Sequence, residues 1–295
     1  MNISEKIIVY KNKNLDVINP EETDDGTEIR FSYIFPFIKK ALLNLQLNDF
    51  KFAVSMNDFS VETNDHNLPF LSFCKTSESN HILIPNVDFF TGLIYKCIKE
   101  SSFDIFYRTK SDSSIFAGAD TGGLNGDTNK RIEYCNTILN NNNNFGVINF
   151  VQNKTEDISI KYPNFEQFSG RLTIAEQLKH KIVVNIDGNT LCWSRLYWQM
   201  NSNSIPVYIN KTNRYEQYFD KFDDSDCYFE ASEDYLDIYD YILDPKNIKH
   251  VNRINNNGKI YIKKYFSEYM KNPNEFLLKT VTMAVQEACR LYKLL

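Results

Sequence analysis

A glycine-containing turn between an apolar strand and a helix is the strongest chemical signal in the sequence. The stretch KIVVNIDGNTLCWSRLYWQM runs from a strand that ends at Asp187 into a helix that carries Arg195. In open parallel sheets, ligands bind at the carboxyl ends of strands, and the free N–H groups of a helix N-terminus attract phosphate. We therefore expect a nucleotide diphosphate here, with a charge-assisted contact from Arg195. The residues assigned to this contact are Asp187, Gly188, Asn189, Thr190, Trp193 and Arg195.

A purely structural role fits the same spacing. Gly188 would then make only a tight turn between strand and helix, and Arg195 would pair with a surface carboxylate. The local pattern leaves both interpretations open.

A glycine-rich loop lies earlier in the chain, in IFAGADTGGLNGDTNKR. Its glycines follow a strand and precede a helix that contains Arg131, so backbone amides can approach an anion closely. The loop matches neither the Walker motif nor GxGxxG, and by itself it is a weak signal. The contacts expected from this region are Gly118, Thr121, Gly122 and Arg131.

A third candidate is a carboxylate in the segment VSMNDFS, where Asp58 follows an apolar strand. At the carboxyl end of a strand, Asp58 could take a proton from an acceptor hydroxyl and so act as a general base. A lone aspartate at a strand end is also typical of a turn or cap residue. The residues alone favour that second interpretation.

The composition excludes several classes of protein. The chain has 295 residues, of which 42% are hydrophobic, enough for one large core or two modest ones. A formal charge of −5 argues against nucleic acid as the main partner. The six cysteines and four histidines show no spacing typical of a zinc site. No apolar run is long enough for a membrane span or a secretory segment, which predicts a cytoplasmic protein with reduced thiols.

The elements that must position these residues follow from the hydrophobic pattern. Past residue 104, short runs rich in Ile, Val and Phe alternate with helical periods, which is typical of βαβ units and a parallel sheet. The fold class is therefore α/β. We expect an N-terminal acceptor-side α/β domain over 1–105, a Rossmann-like nucleotide-sugar-binding domain over 106–270, and a C-terminal helix over 271–295 that packs back across the domains.

Local signals refine this outline. Thr173 followed by Glu176 predicts a capping box at a helix start. The segment RYEQYFDKF predicts a helix between the strands SIPVYI and CYFEA, and one continuous helix is expected from about Asp88 to Lys99.

Taken in order, these segments resemble the family 90 glycosyltransferases, which include Rumi-type protein O-glucosyltransferases, fungal capsule xylosyltransferases and bacterial lipopolysaccharide-modifying enzymes. The resemblance covers about residues 50 to 235. MNDF looks like the family's short motif with the catalytic aspartate, and FCKTSESNHILIPNVDFF is similar to a conserved family segment, with His81 where an aspartate is usual. FAGADTG looks like the family's Phe-Arg-Gly-Ser loop, and LKHKIVVNIDGNTLCWSRL is close to the signature of the microbial members.

This resemblance implies a GT-B fold, in which two Rossmann-like domains face each other across a cleft. It implies an inverting, metal-independent transfer of a sugar of the glucose, xylose or galactose class from a UDP-sugar, with no cofactor required. Asp58 would be the general base, and Arg195 would bind the donor diphosphate with help from the turn and loop residues named above. The acceptor would be a hydroxyl of a glycan, a lipopolysaccharide-type molecule or another lipid-linked glycan, which would bring the chain to the periphery of a membrane.

Three departures from the family pattern leave open other functions than sugar transfer. Ala117 and Ala119 replace the loop arginine and serine, and no histidine precedes Tyr228. The chain could therefore be a catalytically weakened relative that binds a nucleotide or glycan. A different class of enzyme is indicated by Asp224 and Asp226, which have the DxD spacing that holds a divalent metal in GT-A transferases.

Overall fold

The computed structural model describes residues 5–18, 25–45, 47–56, 67–76, 79–119, 129–138, 144–149, 172–188, 191, 194–209, 214–216, 226–232 and 235–294. Its strands are β1 (Glu5–Lys11), β2 (Asn14–Ile18), β3 (Phe50–Ser55), β4 (Phe70–Ser72), β5 (Cys74–Thr76), β6 (Ile82–Leu83), β7 (Ser111–Ala119), β8 (Asn144–Asn149), β9 (His180–Ile186), β10 (Ile205–Ile209), β11 (Arg214–Glu216) and β12 (Phe229–Ala231). Its helices are α1 (Asp25–Leu45), α2 (Val87–Phe90), α3 (Leu93–Ser101), α4 (Lys130–Ile138), α5 (Ile174–Gln177), α6 (Ser194–Asn201), α7 (Tyr235–Leu243), α8 (Ile248–Lys271) and α9 (Pro273–Tyr292).

The fold is mixed α/β with two five-stranded sheets and helices at the C-terminal end of the chain. Contacts divide it into two compact units. The first contains Met1–Tyr95, Asn213–Lys221 and Phe266–Leu295, and the second contains Lys96–Thr212 and Phe222–Tyr265. Within the described part of the chain, no helix is both long and apolar enough to cross a membrane.

The first unit is built on a mixed sheet in the order β2-β1-β3-β4-β6. β1 pairs antiparallel with β2 and β3, whereas β3, β4 and β6 run parallel. Helices α1 and α9 cover this sheet, because their apolar faces share one core with its strands. Buried examples are Ile34 and Leu42 from α1 and Val281 from α9.

The second unit contains an all-parallel sheet in the order β12-β10-β9-β7-β8. One face packs against α4, α7 and α8 and includes Phe116, Ile186 and Val207. The other face brings Ile115 and Val183 against Cys97 of α3 and Trp198 of α6. Both faces of the central strands are covered, which is why those strands read as nearly continuous apolar runs.

Several local predictions are tested by these elements. The capping box is confirmed, since the Thr173 hydroxyl accepts a hydrogen bond from the Glu176 amide and the Glu176 carboxylate accepts one from the Thr173 amide. The single helix from Asp88 to Lys99 is wrong: α2 and α3 are separated at Gly92, whose φ of 76° ends the first helix. The five described cysteines are buried and form no disulfide bond with one another, in line with the prediction of packed thiols.

The helix predicted for RYEQYFDKF is also wrong over its first residues. Arg214–Glu216 forms β11, which pairs antiparallel with β5. An aromatic residue such as Tyr215 suits a strand, and here pairing with a distant segment overrides the local helical period. The rest of that segment lies outside the described residues.

Candidate functional site

The candidate site lies at the carboxyl edge of the parallel sheet in the second unit. β7 and β9 are neighbours in the sheet and run in the same direction. β7 ends at Ala119 and β9 at Ile186, so the segments that follow both strands begin at this edge. The sequence placed each glycine-containing segment after a strand, and the described residues at the start of both segments lie at this edge.

Arg131 joins these two strand ends. It is the second residue of α4 and is buried, with 6% of its surface exposed. Its Nε and Nη2 donate hydrogen bonds to the Ile186 carbonyl at 3.1 and 3.0 Å, and its Nη1 donates to the Ala119 carbonyl at 2.9 Å. The sequence suggested only that Arg131 contacts a phosphate or ribose. In the structure, its hydrogen bonds also link the carboxyl end of β7 to that of β9.

The start of α4 fixes that orientation. The Asn129 side chain accepts hydrogen bonds from the backbone N–H groups of Arg131 and Ile132, at 3.1 and 3.3 Å. This is N-cap geometry, and it holds the first turn of the helix, and therefore Arg131, against the strand ends.

Arg195 approaches the same point from another helix. It is the second residue of α6, which follows β9. Its guanidinium carbon lies 5.1 Å from the centroid of the Phe116 ring, and that of Arg131 lies 5.8 Å from the same centroid. Both distances allow cation–π attraction. Two guanidinium groups near one buried ring bring more positive than negative charge to this edge, even with the Asp187 carboxylate that follows β9, and this favours an anionic ligand.

Gly118 makes this approach sterically possible. A Cβ atom at this position would lie 2.7 Å from Cζ of Phe116 and 2.9 Å from Nη2 of Arg195. Both distances are shorter than normal van der Waals contact, so the ring or the guanidinium would have to move. The sequence assigned Gly118 to close approach of an anion. The structure adds that it leaves room for Phe116 and Arg195.

Asp187 adds a carboxylate to the edge. It follows β9 directly, is buried, and accepts a hydrogen bond from the hydroxyl of Tyr208 in β10. The Tyr208 ring in turn contacts Tyr228 edge to face, with centroids 5.7 Å apart. A carboxylate accepts hydrogen bonds, so it suits a hydroxyl of a ribose or sugar better than a phosphate oxygen. Gly188 lies next to it at the same strand end.

Sequence reasoning missed two residues of this arrangement, Phe116 and Tyr208. Both belong to apolar strand runs and resemble ordinary core residues. The only available signal for Tyr208 was a hydroxyl in a fully buried strand, which usually requires a polar partner. No comparable signal marked Phe116.

Several predicted residues cannot be placed. Six residues of the predicted donor and acceptor site lie outside the described residues, as does Asp224 of the alternative metal site: Asp58, Thr121, Gly122, Asn189, Thr190, Trp193 and Asp224. Gly118, Arg131, Asp187, Gly188 and Arg195 are the predicted site residues that the structure describes and brings to one edge.

The alternative metal site lies elsewhere in the second unit. Asp226 is exposed and precedes β12, which runs parallel to β10, so it lies on the amino side of the sheet. Its Oδ2 is 3.1 Å from Nη2 of Arg253. Among the described residues, no group of three or more His, Cys, Asp or Glu side chains could hold a metal ion.

His81, in the first unit, is the position at which the predicted resemblance departs from an aspartate. It is buried, its ring lies 4.6 Å from that of Phe70, and its Nδ1 is 3.4 Å from the Ser72 hydroxyl. Burial lowers the pKa of its imidazole, and the nearby charge of Lys75 lowers that pKa further. Both effects favour the neutral form of this imidazole.

Comparison with models of known protein families gives no match, and a search of curated proteins gives none either.

Proposed function

We propose that this chain is an inverting glycosyltransferase that moves a sugar from a UDP-sugar to a hydroxyl of a glycan or lipopolysaccharide-type acceptor. The observation that carries the proposal is the convergence of Arg131 and Arg195 on Phe116 at the carboxyl edge of a parallel sheet. Arg195 belongs to the NIDGNTLCWSRL segment, in which the resemblance to the family is strongest.

The described residues of the site match different parts of a nucleoside diphosphate. The Arg195 guanidinium would donate to the diphosphate and stabilise the charge that develops on the departing UDP. Arg131 would add positive potential while its hydrogen bonds to Ile186 and Ala119 hold the two strand ends in place. The Asp187 carboxylate would accept a hydrogen bond from a ribose hydroxyl.

The transfer step is a direct displacement. Asp58 takes the proton of the acceptor hydroxyl, and the acceptor oxygen forms a bond to the anomeric carbon. The bond from that carbon to the phosphate oxygen breaks, and UDP leaves with its electron pair. Attack from the face opposite UDP inverts the anomeric configuration. The proposal includes the GT-B architecture, whose two Rossmann-like domains would correspond to the two α/β units.

Nucleotide binding is the first test. UDP, UDP-glucose, UDP-galactose and UDP-xylose are added separately, and the melting temperature of the full chain is measured. A ligand that binds only the folded state raises it, with about 2.7 kcal/mol of stabilisation at a hundred times Kd. We expect at least one compound to stabilise the parent and to lose most of its effect in Arg195→Ala.

Arg253→Ala is the matched control, because Arg253 is also an arginine of the second unit but pairs with Asp226 on the other side of the sheet. It should respond to the nucleotides as the parent does. If none of the four compounds stabilises the parent, the donor assignment is wrong. Repeating the measurement in EDTA separates the DxD alternative, which requires that binding be lost without metal.

The second test separates transfer from binding. Asp58→Asn should keep the nucleotide-induced shift and lose release of UDP from the sugar nucleotide in the presence of glycan acceptors. Full turnover by this variant would remove Asp58 from the role of base.

A nucleotide- or glycan-binding relative without transferase activity is the second candidate function. The observation in its favour is Ala117, which packs against the apolar cluster of Ile115, Val183 and Trp198 instead of supplying a polar side chain. Nucleotide binding without UDP release in the parent chain would support this candidate.

A further inference from the structure

An exposed apolar loop lies at the opposite, amino edge of the parallel sheet. It consists of residues 103–106, which precede β7 in the second unit, and we call it the 103–106 loop. Three of its four residues are apolar: Phe103, Ile105 and Phe106. Their exposed fractions are 79%, 47% and 71%. Single exposed apolar residues are common, but three within four residues, two of them aromatic, leave a concentrated apolar tip in water.

The loop is held by specific contacts. Asp104 is directed inward, where its Oδ1 lies 2.6 Å from Nζ of Lys110 and its Oδ2 accepts the backbone N–H of Asn203 at 2.7 Å. The Asn203 side chain donates to the Ile105 carbonyl at 2.9 Å, and the Phe106 carbonyl accepts the Thr109 amide at 3.0 Å. These hydrogen bonds fix the backbone on either side of the apolar side chains. The loop therefore holds Phe103, Ile105 and Phe106 in exposed positions.

Cationic side chains flank the tip along the chain. Lys99 and Arg108 are exposed on either side of the loop, and the Arg108 guanidinium carbon lies 5.9 Å from the Phe106 ring centroid. Asp104 is paired with Lys110, which leaves Glu100 as the exposed carboxylate of the segment 99–109. Beside the start of β7, Lys179 is exposed together with the carboxylates of Glu176 and of Asp112, which pairs with Lys181.

We propose that the 103–106 loop docks this protein on the surface of an anionic lipid bilayer. Aromatic side chains favour the boundary between headgroups and acyl chains, and flanking Lys and Arg side chains are attracted to anionic headgroups. The combination of an apolar tip with a cationic rim complements this surface. The inference does not rest on the proposed function, because its residues precede β7, whose start at Ser111 is roughly 23 Å along the strand from Gly118 at about 3.3 Å per residue.

Flotation with lipid vesicles tests the proposal. The full chain is mixed with vesicles of phosphatidylcholine alone, or of equal parts phosphatidylcholine and phosphatidylserine, and the bound fraction is measured. We expect the parent to bind the mixed vesicles and to be released by added salt, which screens the charges. Phe103→Ser combined with Phe106→Ser should lower partitioning at least tenfold. Arg108→Glu should lower it about fivefold for each unit of charge changed.

The matched control is Ile29→Ser combined with Met283→Ser, since these residues of the first unit are 57% and 61% exposed. This control should bind the mixed vesicles as the parent does. Failure of the parent to bind them, or equal binding by the Phe103/Phe106 double variant, would overturn the proposal. A dimer in sedimentation that this double variant abolishes, without vesicle binding by the parent, would instead assign the loop to a second copy of the chain.

Two further measurements test vesicle binding independently of the proposed glycosyltransferase function. Phe106→Trp reports insertion directly, through a blue shift of tryptophan emission on mixed vesicles that the parent lacks. Urea denaturation of the Phe103/Phe106 double variant shows whether its fold is intact, independently of any nucleotide. Loss of vesicle binding with an unchanged free energy of unfolding assigns the effect to the docking surface.

Discussion

The two edges of the parallel sheet in the second unit handle buried charge in different ways. At the amino edge, Lys110 is buried and pairs with Asp104, and Asn203 completes the hydrogen bonds of that carboxylate. Burial lowers the pKa of Lys110, and the hydrogen bond and charge of Asp104 oppose that shift. At the carboxyl edge, Arg131 and Arg195 bring two like charges to one aromatic ring.

This difference indicates what each edge is for. A buried cation matched by a buried carboxylate holds segments of the chain together. At the carboxyl edge, two cations lie at one strand end with the carboxylate of Asp187, so the positive groups outnumber the negative one and a bound anion is favoured there. Substitution of Lys110 or Asp104 should therefore affect mainly folding, and substitution of Arg195 mainly ligand binding.

Removing one partner of the amino-edge pair should have the largest effect. Lys110→Ala leaves the buried Asp104 carboxylate without its hydrogen-bonded cation, a change that costs about 3–5 kcal/mol in comparable buried pairs. Urea denaturation measures the change in the free energy of unfolding. Asp112→Ala is the control, because Asp112 is exposed and its pair with Lys181 should contribute less than about 1 kcal/mol. Equal losses in the two variants would contradict the comparison.

The next effect separates the two arginines of the carboxyl edge. Arg195→Ala should weaken UDP binding by about 2 kcal/mol, or roughly 30-fold in Kd, with little change in unfolding free energy. Arg131→Ala should also destabilise the fold, by about 1–3 kcal/mol, because the Ile186 and Ala119 carbonyls lose donors. Titration calorimetry and urea denaturation of both variants make this distinction. Loss of stability in Arg195→Ala equal to that in Arg131→Ala would assign both residues to structure.

A smaller effect is expected from crowding at Gly118. In Gly118→Ala the new methyl group meets Phe116 and Arg195, so we expect a loss of about 1–2 kcal/mol in stability together with weaker nucleotide binding. Gly92→Ala is the control. A Cβ atom at Gly92 would meet no atom within 4 Å beyond its chain neighbours, but the positive φ there should cost roughly 1 kcal/mol without any effect on binding. Unchanged nucleotide affinity in Gly118→Ala would show that displacing the Arg195 guanidinium does not affect nucleotide binding.

The parallel sheet was largely predictable, whereas parts of the first unit were not. Apolar runs separated by helical periods indicated β7, β9, β10 and their crossover helices, because local pattern and tertiary position agree there. The β1–β2 hairpin was missed, since its turn uses Asn12 and Lys13 at positive φ without the glycine that usually marks such a turn. β11 depends on pairing with β5, which no local pattern reveals.

The candidate site was predictable in its location but not in its internal roles. The rule that ligands bind at the carboxyl ends of parallel strands was sufficient to select Gly118, Asp187 and Arg195. Arg131 links two strands through the carbonyl of Ile186, which is 55 residues away in the sequence. Phe116 belongs to the site because Arg131 of α4 and Arg195 of α6 both approach its ring. Such contacts arise only when the strands are assembled in order.

The smallest predicted effect is the pH dependence of the amino edge. The His180 Nδ1 lies 2.8 Å from the Ser113 hydroxyl, and burial, followed by the charges of Lys110 and Lys179, lowers the pKa of this imidazole below its ordinary value of 6.5. The unfolded chain therefore takes up a proton at higher pH than the folded chain. Stability is fully present above about pH 6.5 and falls as the pH drops towards the folded-state pKa, by at most about 1.4 kcal/mol per pH unit.

Urea denaturation at successive pH values should show this loss in the parent and a flatter profile in His180→Gln. His81, whose pKa is lowered in the same direction in the first unit, contributes a separate share that His81→Gln removes. The two shares should add, since the residues lie in different units and share no described partner. An unchanged acid slope in His180→Gln would mean that folding does not lower the pKa of this imidazole. The folded protein would then take up this proton as readily as the unfolded chain does, and in acid the amino edge would carry an additional positive charge that reduces its contrast with the carboxyl edge.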